Sequence, residues 1–195
     1  QNEGIYSCFN WGDAEVFLLD NRFFKSPNDR LTGEKVLLGK IQIEWLIDAL
    51  VSSKASFKII VIGGQVLSSA AVFENYENYK TEKEELLNEI TANKIKGVTF
   101  ISGDRHFTEL SMLKRPEAYA LYDWTVSPLT SGYGNIEKIA KEENKNRVEG
   151  SLFAQHVFGT LSFSGEKDTR QMKLTLFDKE GNELWNKTIL KKELE

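Results

Sequence analysis

Gly97-Val-Thr-Phe-Ile-Ser-Gly-Asp-Arg-His106 is the stretch whose reading decides the fold. Val98–Ile101 reads as a short buried strand running into a turn that carries a carboxylate and an imidazole two residues apart. A buried strand that stops at Gly-Asp-X-His is a common way for an α/β protein to present metal ligands at the carboxyl edge of its sheet. Gly103 is expected to let the backbone turn tightly, so that Asp104 and His106 point into one cleft.

The elements upstream repeat the theme. Residues 5–24 read as two strands joined at Trp11-Gly12-Asp13, the second, Glu15–Leu19, apolar on both faces as in an interior strand. It ends at Asp20-Asn21-Arg22. Asp20 and Arg22 read either as a structural ion pair holding the following loop or as residues near the site. A polar loop over 25–38 precedes a helix from about Lys40 to Ser53, with Ile41, Trp45 and Ala49, and Leu46 and Leu50 beside them, as one apolar stripe. Phe57–Ile62 is a second buried strand, stopped by Gly63-Gly64-Gln65. Residues 67–80 read as an irregular loop over a cleft, and Thr81-Glu-Lys-Glu84 as a capping box opening a helix to about Asn93. Strand, helix, strand, helix, strand over 15–113 is the pattern of a layered α/β sheet, and right-handed crossovers place its strand ends along one edge.

Downstream, a short helical segment is expected around Phe107–Leu113 and a strand over Tyr119–Val126. The highly charged 136–150 stretch reads as a solvated helix or mobile insertion. One strand within Ser151–Ser164, the alternation of Met172, Leu174 and Leu176, and a turn at Asp178–Asn182 leading into Glu183–Leu190 are antiparallel in character. One domain is expected.

Composition narrows the chemistry. The 195 residues are 41% hydrophobic with net charge −4, far from the basic excess of a protein that lives on nucleic-acid phosphates. No apolar run approaches the length needed to span a bilayer. One cysteine, Cys8, excludes an internal disulfide, and it reads as an ordinary half-buried thiol. With two histidines, His106 and His156, a metal site must be rich in oxygen ligands or be completed from outside this chain. His156 reads as a strand histidine and Asp13 as a residue closing its own turn. Neither a G-x-S-x-G elbow nor a Walker pattern is present.

Taken together, FNWGDAEVFLLDNRFF, LLGKIQIEWL, FKIIVIGGQV, ENYKTEKEELLNEI, GVTFISGDRHFTEL, LYDWTVSPLTSG and the FGTLSF…LTLFDKEGNELW tail resemble the C-terminal half of a PhoD-like alkaline phosphatase, in order and spacing over nearly the whole chain. That family lies within the calcineurin-like metallophosphoesterases. The resemblance implies an α/β fold that is part of a four-layer α/β/β/α sandwich, with a mixed sheet and antiparallel C-terminal strands. It implies that His106 binds an iron-type ion and Asp104 a neighbouring calcium, with zinc or manganese as alternatives. Arg22 would be a catalytic and phosphate-binding residue, and Gln65 a substrate contact or a residue just behind one. It implies hydrolysis of phosphate mono- or diesters by metal-activated water, in a protein that is secreted, periplasmic or attached to the cell envelope. The family's other ligands belong to a preceding half with no counterpart motif here. The expected partners are therefore a phosphate ester, that N-terminal half, and a second copy docked through an exposed sheet face. The alternative is a non-catalytic binding or scaffold module that keeps the phosphatase fold.

Overall fold

The computed structural model describes residues 3–195. Strands apolar on both faces need cover on both faces, and the chain supplies it from two sources. Six strands form the central mixed sheet: β1 (Ser7–Trp11), β2 (Ala14–Leu18), β3 (Phe57–Val61), β4 (Val98–Ser102), β5 (Glu109–Arg115) and β6 (Ala118–Thr125), in the order β1-β2-β3-β4-β6-β5. β2, β3, β4 and β6 are parallel, and β1 and β5 close the two edges antiparallel. Helices α1 (Lys40–Ser52) and α2 (Lys80–Ala92) lie in the β2–β3 and β3–β4 crossovers. Leu46, Leu50, Leu86 and Ile90 of these helices pack on Phe17, Ile60, Phe100 and Leu121 of one sheet face.

The opposite face, with Ala14, Phe57, Ile59 and Trp124, packs on Met172, Leu174, Leu176 and Ile189. These belong to a second, antiparallel sheet of β7 (Val157–Ser164), β8 (Gln171–Asp178) and β9 (Glu183–Leu190). Where the sheets meet, β7 has no room for a side chain at Gly159, because a Cβ there would sit 2.5 Å from the Trp124 ring. The described residues therefore form three layers: helices, mixed sheet, antiparallel sheet.

Four local expectations are corrected. Residues 109–115 are a strand, not a helix, because β6 offers them an antiparallel partner in a hairpin through Pro116-Glu117. Thr81 is no cap: the helix starts at Lys80, directly out of a 3₁₀ turn over Tyr76–Tyr79, and no side chain caps its first turn. The α1 stripe holds Leu46 and Leu50 buried as expected, but with Ile43 and Gln42 beside them in place of Ile41, which is half exposed. The 136–150 stretch holds only one short helix, α3 (Ile136–Ala140), and its remainder, though partly exposed, is fastened to the body of the protein rather than free as a mobile insertion.

Candidate active site at the carboxyl edge

Three chain segments leaving the carboxyl edge of the sheet enclose a cleft of about 660 Å3, lined by Arg22, Asn28, Phe73, Glu74, Asp104, Arg105 and His106. Arg22 follows β2, Phe73 and Glu74 lie in the loop after β3, and the Asp-Arg-His turn follows β4. The acid and imidazole singled out in the sequence thus share one cleft with Arg22. Asp104 and His106 are exposed at its wall, while Arg105 between them is buried.

The turn is made differently from expectation. Gly103 has an ordinary φ and a Cβ there would make only ordinary contacts, so the bend does not need a glycine. Asp104 (φ 67°) and His106 (φ 56°) take the left-handed conformation instead, which is uncommon for residues with a Cβ. The backbone is pinned on both sides of the His106 Cα. Its N–H donates to Ser127 Oγ (3.2 Å), and its C=O accepts from the Gly134 N–H (3.0 Å).

Arg22 is not paired with Asp20. Its guanidinium meets Glu74 at 2.5 Å, and Lys25 approaches the same carboxylate at 3.3 Å. Asp20 accepts from the N–H groups of Ile5, Arg22 and Phe23. Burial pushes its carboxyl up, but those three donors prevail and hold it below the usual aspartate value.

Gln65 does not reach the cleft. It is 1% exposed, with Nε2 donating to Glu109 (2.7 Å) and Thr125 (2.9 Å) and Oε1 accepting from Arg105 (2.8 Å) and Asn75 (3.0 Å). It belongs to a buried polar layer behind the turn. In the same layer Asp123 accepts from Val66 N–H, Leu67 N–H and Ser102 Oγ, and burial pushes its carboxyl up. Sequence reasoning missed Asn28, Phe73, Glu74 and Arg105 as lining residues. Arg105 lay inside the motif itself, but its burial depends on partners far along the chain.

The other candidates lie elsewhere. Cys8 is exposed on β1 rather than half-buried. His156 precedes β7, with Nε2 3.0 Å from the Ser131 carbonyl and its ring edge-on to Tyr133. Asp13 binds Arg170, just before β8 of the second sheet, in addition to lying in its turn. Asp104 and His106 suit a hard cation and a transition metal by donor type. Yet among the described residues no group of three or more His, Cys, Asp or Glu side chains is gathered as a metal site needs. The donors fit in kind and fall short in number.

Fold and site together define an α/β protein whose mixed sheet is backed by an antiparallel one and whose polar cleft opens at the ends of parallel strands. The family follows from the sequence: residues 1–174 match the PhoD-like phosphatase family, to which the chain belongs. A solved structure described as "Structure of PhoD" shares the fold with a TM-score of 0.67 at 16% identity, covering 94% of this chain and 43% of that one. The chain therefore spans less than half the length of that relative. No match was found among curated protein sequences.

Proposed function

We propose that this chain forms one wall of the active site of a metal-dependent phosphoesterase. Asp104 and His106 hold metal and Arg22 binds the phosphate. The observation that supports this best is the convergence of Arg22, Asp104 and His106, from two different strand ends, on one cleft. By family resemblance the ions are iron at His106 and calcium at Asp104, with zinc or manganese able to substitute. When bound, such ions supply positive charge to the phosphate oxygens and acidify a water.

The chain's own contribution is positional. Asp104 and His106 offer their donors from a turn pinned by Ser127 and Gly134. Arg22, whose side chain is 62% exposed, turns from Glu74 to the equatorial oxygens and offsets their charge. The remaining ligands come from outside residues 1–195, consistent with the 43% coverage of the solved relative.

Hydrolysis of p-nitrophenyl phosphate and bis(p-nitrophenyl) phosphate by the full-length, metal-loaded protein tests this. His106→Ala is expected to lose roughly 100-fold or more, since even groups behind a ligand are worth 10–100-fold in metal affinity. Unchanged hydrolysis would remove His106 from the site. The count of only two donors also favours a second reading, a binding module that keeps the fold without the chemistry. Elemental analysis separates the two: a full-length protein free of iron, calcium, zinc and manganese supports the second.

A further inference from the structure

Arg105 sits between the two ligand candidates, but its side chain is buried while theirs are open. Exposure alternates along the turn, with Asp104 and His106 open and the Arg105 side chain 4% exposed. A buried guanidinium needs its donors satisfied, and here four acceptor atoms on three side chains serve its two terminal nitrogens. Both Nη2 bonds go to Glu142 (2.8 Å to each oxygen), while Nη1 donates to Gln65 Oε1 (2.8 Å) and Asn75 Oδ1 (3.3 Å). The plane is held between the rings of Phe73 (5.2 Å) and Phe107 (4.9 Å).

Glu142 is itself well anchored. Its neighbours in the charged stretch after α3 are tied to the sheet side. The Glu143 carbonyl accepts from Ser69 Oγ (2.8 Å), Asn144 Nδ2 donates to Glu109 (2.8 Å) and Ser111 (2.9 Å), and Arg147 Nε donates to Glu109 Oε2 (2.5 Å). A charged stretch that could have been solvated thus ends as a fixed support under the turn. Two left-handed side-chain residues flanking one buried anchor persist only where surroundings over-determine them.

We propose that Arg105 and Glu142 are positioning residues: a buried clamp that holds Asp104 and His106 in their left-handed conformations, aimed into the cleft. The proposal builds on the metal-binding reading of that turn. Its effect on the turn itself can be read without any metal.

In full-length, metal-free protein, Glu142→Ala is expected to speed amide hydrogen exchange in peptides covering 103–108 at least tenfold. Peptides covering β3 should be unchanged. The affinity for Mn2+ alone should fall about 10–100-fold, the range for groups that orient ligands. Arg105→Ala should match it, and the double variant should lose no more than either single, since the two act as one unit. Glu142→Gln, which keeps the shape and loses the charge, should fall between. If Arg105→Ala does not fold, the two Glu142 variants carry the test, because that side chain is 22% exposed and its loss is milder. Exchange at 103–108 within twofold of wild type overturns the clamp. So does acceleration that includes β3, which marks a general loss of stability, or a double variant whose loss multiplies the singles. His106→Ala keeps the two readings apart: unchanged Mn2+ affinity in that variant removes the metal reading, while the exchange data still decide the clamp.

Discussion

Arg22 and Arg105 reach the same cleft with opposite environments. Arg105 is buried with both terminal nitrogens partnered, so its charge is committed to the protein. Arg22 is 62% exposed and holds one acceptor, Glu74, which also serves Lys25, so its charge can be redirected to a ligand. Replacing Arg22 by alanine is expected to weaken competitive inhibition by inorganic phosphate about tenfold, the worth of one charged hydrogen bond. The melting temperature should barely move, as for other surface substitutions. Glu74→Gln should act in the opposite direction, tightening phosphate by releasing Arg22. Inhibition constants unaffected by either change would place the phosphate elsewhere. The acid, the imidazole and Arg22 were legible in the sequence because each ends a recognisable apolar strand. Arg105 was not, since nothing local distinguishes a buried arginine from an exposed one in Asp-Arg-His.

Among elements, the legible ones carry their own periodicity and the misread ones depend on a distant partner. β3 and β4 are apolar runs bounded by polar turns, α1 and α2 carry apolar residues at helical spacing, and all four fall within a residue or two of expectation. β5 was misread because Phe107–Leu113 has no strict alternation, and only pairing with β6 decides its state. Thr81-x-x-Glu84 fits a capping box, but the residue that matters is Glu82. Its buried carboxylate accepts from the N–H groups of Leu37, Leu38 and Gly39, just before α1, and so ties the start of α1 to the first turn of α2. No cap of its own appears on α1, so these donors depend on Glu82. Burial pushes the Glu82 carboxyl up, against those three donors. Glu82→Ala orphans all three amides and is expected to destabilise by about 3 kcal/mol or more in urea denaturation. Glu82→Gln, which still offers one acceptor, should cost less. Equal stabilities would show that water replaces the carboxylate.

The molecule as a whole is two sheets of unequal width, joined at one corner by Asp13 of the β1–β2 turn and Arg170 before β8. Hydrogen bonding from Arg170 holds the Asp13 carboxyl below its usual value, so the folded chain releases that proton more readily than the unfolded one. The stability gained is fully present above the ordinary aspartate range and is lost as pH falls from there through the lowered folded value. Below about pH 5 the melting temperature of wild type should drop more steeply than that of Asp13→Asn, the two curves converging only below the lowered folded value. Three strands cannot cover six. On the face turned to the antiparallel sheet, Trp124 is buried, but Leu18 and its row partners Val61 and Ile101 line an open groove of about 470 Å3 that runs to Asp104. Through the register, Phe9 and Trp11 extend this apolar face across β1, at 47% and 69% exposure. An open apolar face beside an unpaired edge strand favours association. Residues 1–195 expressed alone are therefore expected to sediment as a dimer or larger. Leu18→Ser with Trp11→Ser should shift the protein toward monomer without lowering its melting temperature by more than a few degrees, because both side chains are already partly in water. In the full-length protein the same face should be occupied by the additional polypeptide, and sedimentation there should be insensitive to the pair of substitutions. A monomeric 195-residue chain at micromolar concentration would show that this face is content in water, and would remove the physical argument for a missing neighbour.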